Sequence, residues 1–344
     1  MMAALSFVLP QGNELASGGN VYNRELVRAL ERLAEAPGAG AVGRAAPSVR
    51  TLTPAEFRRK IAAGEAGDYF VDTLNLADAE VLERKVPGQR ALLVVHHLPS
   101  LEPGMSPENP AIVLERVTLP LFDAFVATSP LTAELLARRG FARERIRIVE
   151  PGLPAVELGP PSVESPYRAL LVANLIPRKG VRELLFALAA RTLPTDPFTL
   201  DIVGRVDIDP AYAETVGRVI TRSSTLAERV RWQPAVAYDA MGVHYRSASV
   251  LLSAASMETF GMALAEARAY GVPILAFDGG YAKHHFEDGV NGRLFDSIEA
   301  LADEFLRLVR DAAAMRALFE SARRTATPGP STWDRAALRL LAQL

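Results

Sequence analysis

The chain has 344 residues, 49% of them hydrophobic and 23% charged, with a formal net charge of -2 and no cysteine. That length exceeds one ordinary core and suits two domains, and the composition is that of a folded globular chain, not a disordered one. The near-neutral charge gives no electrostatic reason to expect a nucleic-acid partner, and the lack of cysteine excludes disulfides and thiolate metal sites.

In chain order, the apolar start Met1–Pro10 lacks a basic leader and runs into a glycine-rich loop, so it reads as a buried strand at Ala4–Leu9, not a signal peptide. A helix is expected at Val21–Glu35, then strands at Tyr69–Asp72, Ala91–Val95 and Ala124–Thr128, a helix at Leu131–Arg139 and a strand at Ile146–Val149. The stretch Gly152–Pro166 carries prolines at 154, 160, 161 and 166, a density that favours an extended linker. Beyond it come strands at Ala169–Ala173, Thr199–Val203, Val250–Ser253 and Pro273–Phe277, with helices at Val181–Ala190 and Met262–Tyr270. A second break, Thr327–Ser331, precedes an amphipathic helix at Trp333–Leu344. The expected partition is a domain over 1–152, a linker over 153–166, a domain over 167–327, and a terminal helix over 328–344 that packs back on the first domain.

Strands that are apolar on both faces and alternate with helices imply α/β domains with doubly wound parallel sheets, covered on both sides. Such sheets bind ligands at the carboxyl ends of their strands, so two of them facing one another would hold a ligand in a central cleft. No run reaches the about 18 apolar residues of a membrane-spanning helix, so a cytoplasmic protein is expected. Arg58-Arg59-Lys60, on an expected surface helix, allows at most a peripheral contact with an anionic lipid or acceptor.

The most informative stretch is Ser253–Pro273, SAASMETFGMALAEARAYGVP. Glu258 stands in the loop after a strand, Thr259 can cap the helix that follows, and Glu266 lies within that helix among Ala263, Ala265, Ala267 and Ala269. The amides of Phe260, Gly261 and Met262 fall at the helix N-terminus, where donors without intrahelical acceptors attract a phosphate or a sugar hydroxyl. At about 1.5 Å per residue the two glutamate backbones are roughly 12 Å apart, the scale of a sugar plus a ribose. A glycoside hydrolase fits poorly, because its paired carboxyl groups sit about 5–9.5 Å apart across one bond.

Three further constellations also follow strands. In VANLIPRKGV, Val172–Val181, the cations Arg178 and Lys179 precede a helix N-terminus whose dipole disfavours them, a conflict that a bound diphosphate would resolve. In Pro10–Leu26 the pair Gly18–Gly19 and a capping Asn20 mark a strand-to-helix turn. In Ala91–Pro99, His96 stands at the carboxyl end of a strand; its neighbour His97 points to the opposite face, so the two do not make a metal pair. With no cysteine and no H-E-x-x-H pattern, no metal is expected. The triplet Asp207-Ile208-Asp209 reads as a solvated loop.

The Glu258–Glu266 string resembles the E-x7-E motif of retaining, family 4-like glycosyltransferases of the GT-B fold, and the segment Gly279–Asp296 resembles the glycine loop and D-G-x-x-G turn that follow it there. The resemblance runs over essentially the whole chain. It implies that Glu266 holds the ribose hydroxyls, that Glu258 and the amides after it hold the donor sugar, that Lys179 belongs to an R-x(n)-K-G phosphate clamp with Arg178 as neighbour, and that Gly18 and Gly19 face the diphosphate. Asn174 stands where the clamp arginine is usual. His96 falls where the family places a histidine near the transferring sugar. The implied activity is hexosyl transfer from a nucleotide diphosphate sugar, UDP- or GDP-type, to an acceptor hydroxyl, with retention, no metal and no cofactor. Lys179, Glu258 and His96 are the expected catalytic residues. A sugar-nucleotide epimerase or phosphorylase on the same fold, or a non-catalytic nucleotide-sugar-binding partner subunit, are the alternatives, the last kept open by Asn174.

Overall fold

The computed structural model describes residues 4–10, 17–35, 48–102, 104–154, 156–158, 163–233, 236–326 and 332–344. Most of the glycine-rich loop before Ser17, the centre of the proline-rich linker and the break at Thr327–Ser331 lie outside the described residues. The chain divides into two compact units, one holding 19–152 with the start of the chain and its C-terminal helix, the other holding 153–326 with Ser17 and Gly18.

In the first unit the order is β1 (Leu5–Val8), α1 (Gly18–Glu35), β2 (Val49–Leu52), α2 (Pro54–Ala62), β3 (Gly67–Asp72), β4 (Gln89–Val95), α3 (Pro110–Thr118), β5 (Ala124–Ala127), α4 (Pro130–Arg138) and β6 (Ile146–Ile148). The described strands form one parallel sheet in the order β2-β1-β3-β4-β5-β6. The chain steps outward from β1 in one direction and from β3 in the other, so the switch point of this sheet lies between them. Phe7 stacks on Phe70 at 4.5 Å across β1 and β3, and Leu92, Leu93, Phe125 and Val126 are fully buried.

The second unit runs β7 (Tyr167–Val172), α5 (Val181–Ala189), β8 (Phe198–Val203), α6 (Pro210–Arg222), α7 (Ser224–Ala227), β9 (Val230–Gln233), α8 (Met241–Ser247), β10 (Val250–Ser253), α9 (Met262–Ala269), β11 (Ile274–Phe277), β12 (Gly292–Phe295), α10 (Ile298–Arg310) and α11 (Ala312–Arg324). Its parallel sheet has the order β12-β11-β10-β7-β8-β9, which puts the switch point between β7 and β10. Alternate residues face opposite cores, as a pleated strand requires: Ala169, Leu171, Val250 and Leu252 join one cluster, Leu170 and Leu251 the other. Both faces are therefore covered, and each unit is a Rossmann-like parallel α/β domain.

The last helix, α12 (Trp333–Ala342), belongs to the first unit. Trp333 meets Tyr22 edge to face at 5.9 Å, and Arg32 pairs with Asp334 at 2.6 Å. Beside it, the Tyr22 hydroxyl donates to the Val149 carbonyl at 2.9 Å.

Two capping expectations are corrected. Helix α1 starts at Gly18, so Asn20 lies inside its first turn and is buried instead of capping it. In helix α9 the N-cap position falls to Gly261, in the left-handed region, and not to Thr259. The sequence reading also lacked β2, β9 and β12, all of them edge strands. Their compositions, VRTL, VRWQ and GRLF, carry polar residues that a strand buried on both faces would not tolerate, which hides them from an apolar-run criterion.

Candidate functional site

Two loops frame the switch point of the second sheet. After β7 the chain makes a tight turn at Pro177–Lys179, and Gly180 enters α5 with φ at 63°. Only glycine suits that position: the backbone is left-handed, and a Cβ would run into the Ala254 carbonyl of the loop after β10. The loops are also cross-linked, because Ser256 donates to the Arg178 carbonyl from its amide at 2.9 Å and from its hydroxyl at 3.2 Å. The Arg178 guanidinium donates back to the Met257 carbonyl at 3.2 Å.

This framework brings the Lys179 ammonium to 2.5 Å from the Glu258 carboxylate, with side-chain exposures of 17% and 13%. Burial works to raise the Glu258 pKa, but the charges of Lys179 and Arg178 overcome it and hold the carboxyl below its ordinary range. Burial likewise pulls the Lys179 ammonium down, against the attraction of Glu258. Glu258 is fixed from a third side: its amide donates to the Gly279 carbonyl at 3.2 Å, and its carbonyl accepts from the Tyr281 amide at 2.8 Å. Gly279 and Gly280 thus act on the site by holding the Glu258 backbone.

Glu266 stands in a different environment. It is 6% exposed on α9 and accepts a hydrogen bond from the Tyr245 hydroxyl at 2.6 Å. Burial pushes its carboxyl up to about 7, against smaller lowering by the Tyr245 and Tyr238 hydroxyls. His285 is buried beside the start of the helix, with its Nε2 2.5 Å from the Phe260 carbonyl and its ring edge-to-face with Phe260 at 4.9 Å. Burial pulls this imidazole down to about 4, so it is neutral at pH 7 and Nε2 carries the donated proton. Met262 opens α9; the Leu264 and Ala265 amides donate to the Gly261 carbonyl at 3.0 and 3.1 Å, which leaves the Met262 and Ala263 amides as the ones without an intrahelical acceptor.

Asn174 is committed to the backbone: its Oδ1 accepts from the Arg205 amide at 3.2 Å. The sequence reading missed Arg205, two residues beyond the end of β8, whose backbone amide is the one that Asn174 holds. Its guanidinium grips Asp207 at 3.0 and 2.6 Å. Asp209 caps α6 through the Tyr212 amide at 2.9 Å, so the two aspartates of the D-x-D triplet serve separate local roles.

The first unit has its own cluster at the carboxyl ends of β3 and β4. His96 Nε2 lies 3.0 Å from Asn23 Oδ1 and 3.3 Å from Asp72 Oδ2. Asn23 donates to Asp72 at 2.5 Å, and the Leu74 amide donates to the other carboxylate oxygen at 2.6 Å. Gly18 is the first residue of α1; Gly19 follows it so closely against His96 that a Cβ would sit 3.2 Å from the imidazole. His97 pairs separately with Glu102 at 2.8 Å. Neither Asp72 nor Asn23 was singled out in the sequence, although Asp72 ends a buried strand, where a charged residue is rare without a task. On α2, Arg58 pairs with Asp78 and Lys60 with Glu65, which neutralises two of the three cations there.

Residues 160–325 match the family model for glycosyl transferases group 1. Solved structures align over nearly all of the chain: sucrose-phosphate synthase from Thermosynechococcus elongatus with a TM-score of 0.75 at 19% identity, covering 99% of this chain and 98% of that one, and Anabaena Alr3699/HepE in complex with UDP-glucose with a TM-score of 0.72 at 18% identity, covering 99% and 100%. The fold is GT-B. Among curated relatives, D-inositol 3-phosphate glycosyltransferase of Geodermatophilus obscurus is 28% identical over 261 residues, 71% of this chain and 57% of that protein. The GDP-mannose-dependent alpha-(1-6)-phosphatidylinositol monomannoside mannosyltransferase of Mycobacterium tuberculosis is 28% identical over 178 residues, 49% of this chain and 45% of that protein. This GT-B chain thus spans about half the length of the curated relatives it matches.

Two predictions follow from the second unit of this GT-B protein. Between the ordinary value of 4.5 and about 7, the native state keeps the Glu266 proton that the unfolded chain has lost. Stability therefore falls as pH rises through that window, by about 1.4 kcal/mol per unit where the two states differ by a full proton. His285 has the opposite sign, losing stability as pH falls from 6.5 towards 4. Comparison of Glu266→Gln with wild type isolates the carboxyl: the variant should lose the decline and be the more stable protein at pH 8 in chemical denaturation. Parallel pH profiles would contradict the buried-acid assignment. Gly180→Ala should lower unfolding stability by at least about 1–2 kcal/mol, the usual penalty of a left-handed side-chain residue; an unchanged midpoint would contradict the close approach to Ala254.

Proposed function

We propose that this protein transfers a sugar from a nucleotide diphosphate donor to an acceptor hydroxyl, with retention at the anomeric carbon and without a metal. The observation that carries the reading is the convergence of Lys179, Arg178, Glu258 and the α9 N-terminus on one switch point, with Glu266 one helix face away. A diphosphate fits Lys179 and the first-turn amides, because both offer positive charge to a leaving group whose negative charge grows as the anomeric bond breaks. The buried Lys179–Glu258 pair then separates: the ammonium turns to phosphate, and the carboxylate, kept ionised by its surroundings, accepts hydrogen bonds from the sugar hydroxyls. Glu266 accepts from the ribose hydroxyls. In this scheme the departing phosphate oxygen takes the acceptor's proton, and no protein nucleophile is required. By the family 4-like resemblance His96 is taken as a further catalytic residue.

Support for a UDP- or GDP-type donor comes from the UDP-glucose complex of the Anabaena protein and from the GDP-mannose dependence in the name of the mycobacterial relative. The family 4-like motif supports retention. A cytoplasmic location, where sugar nucleotides are at hand, belongs to the same reading; no described helix is long and apolar enough to cross a membrane.

Release of nucleoside diphosphate from a sugar nucleotide should depend on an added acceptor alcohol, and Glu258→Gln should reduce it by roughly 100-fold or more with the melting temperature little changed. Wild-type turnover in that variant would remove Glu258 from the site. Donor hydroxyls that bond to Glu266 favour its charged form, so UDP or GDP binding at pH 7 should release up to about half a proton. Calorimetry in buffers of different ionisation enthalpy reads this directly, and binding without proton exchange would contradict the ribose assignment.

A further inference from the structure

The transfer scheme leaves His285 without a task, although its side chain is buried beside the start of α9. We infer that His285 is a positioning residue of the donor site. By donating from Nε2 to the Phe260 carbonyl, it aims the Gly261 amide, on the opposite edge of the same peptide, at the donor's diphosphate. The ligand in this statement rests on the transferase reading; the placing of the peptide does not.

Gly261 is the N-cap of α9, with φ at 93°. Its carbonyl starts the helix by accepting from the Leu264 and Ala265 amides at 3.0 and 3.1 Å. The Phe260 carbonyl, one peptide earlier, takes no bond from the helix and lies in a buried setting, where an unpaired carbonyl is costly. Among the described residues its partner is His285 Nε2, at 2.5 Å. The Phe260–Gly261 peptide is trans. A planar trans peptide points its C=O and N–H in opposite directions, so a carbonyl fixed on His285 fixes the Gly261 amide on the side away from it. Among the described residues that amide has no acceptor, and the Met262 and Ala263 amides that follow have none within the helix.

The loop after β11 holds this segment at both ends. Its Gly279 carbonyl accepts from the Glu258 amide at 3.2 Å, and its Tyr281 amide donates to the Glu258 carbonyl at 2.8 Å. His285, on the same loop, takes the Phe260 carbonyl. The His285 amide donates to the Ala282 carbonyl at 3.2 Å, and its ring meets Phe260 and Tyr281 edge to face at 4.9 and 5.7 Å. A leucine in its place would leave the carbonyl unpaired and the peptide free to turn, whereas a glutamine offers an amide donor again.

The dipeptide Phe-Gly occurs once in the sequence, at Phe260–Gly261. The full chain labelled with 13C at phenylalanine carbonyls and 15N at glycine therefore gives a single HNCO cross-peak, which reads both edges of this peptide. Saturating UDP or GDP should move the Gly261 amide proton downfield, as a phosphate oxygen accepts from it. In His285→Leu the Phe260 carbonyl carbon should move upfield, and affinity for UDP or GDP should fall by at least about 10-fold. Affinity for uridine or guanosine, which carry no phosphate, should keep its wild-type value. His285→Gln should restore both the carbonyl shift and the diphosphate affinity. A Gly261 proton unmoved by bound nucleotide, or full diphosphate affinity in folded His285→Leu, overturns the inference and leaves the transferase reading standing. Equal loss of nucleoside and diphosphate binding overturns it as well, since a general defect of the fold would do the same. Failure of the wild type to bind either nucleotide removes the transferase reading and the inference with it. The wild-type titration and His285→Gln decide the matter even if His285→Leu does not fold.

Discussion

The buried ion pair between Lys179 and Glu258 is the interaction around which the candidate site of the second unit is arranged. Its members are 79 positions apart in sequence and come from the loops after β7 and β10, the two strands that flank the switch point of the sheet. Removing two charges from water is costly, and a buried pair is weak evidence of stability on its own. Here the surrounding bonds among Arg178, Ser256, Met257, Gly279 and Tyr281 all end on backbone carbonyls and hold the loops together, so the charges are placed by the framework instead of creating it. A pair held in this way is one that an anionic ligand can open, because the framework survives when the ammonium changes partner.

The two glutamates show how environment separates groups of the same type. Glu258 lies beside two cations and stays ionised; Glu266 lies beside tyrosine hydroxyls in a sheltered pocket and is pushed up to about 7. His285, a few ångströms from the same helix start, is pulled down to about 4 and is neutral. The site thus offers a fixed negative charge, a proton that can leave on binding, and an uncharged imidazole that anchors backbone. In the first unit Asp72 is likewise a buried acid held below its ordinary value, by His96, the Leu74 amide and Asn23 against the penalty of burial.

Much of this was legible in the sequence. Apolar runs alternating with helical patterns gave the parallel class, since only strands covered on both faces read that way, and the residues singled out as chemical follow the carboxyl ends of strands, apart from Glu266, which lies inside α9. What escaped has physical causes. Edge strands β2, β9 and β12 are half-solvated, so their composition is mixed. Asn20 and Thr259 have capping side chains, but α1 begins earlier and Gly261 ends the turn at α9, and only backbone angles reveal which residue takes the cap. Asn174 reads as a lost cation, whereas its side chain secures the loop after β8, where Arg205 stands. The supporting partners Tyr245, Asn23 and Asp72 meet their targets across 21, 73 and 49 positions, separations at which sequence spacing carries no signal.

The most direct test of the account is a crystal structure of the protein with UDP or GDP bound. The account predicts ribose hydroxyls within hydrogen-bond distance of Glu266, phosphate oxygens on the α9 amides, and the Lys179 ammonium turned from Glu258 to phosphate. A nucleotide bound away from α9, or one bound there with the Lys179–Glu258 pair still closed, would contradict it.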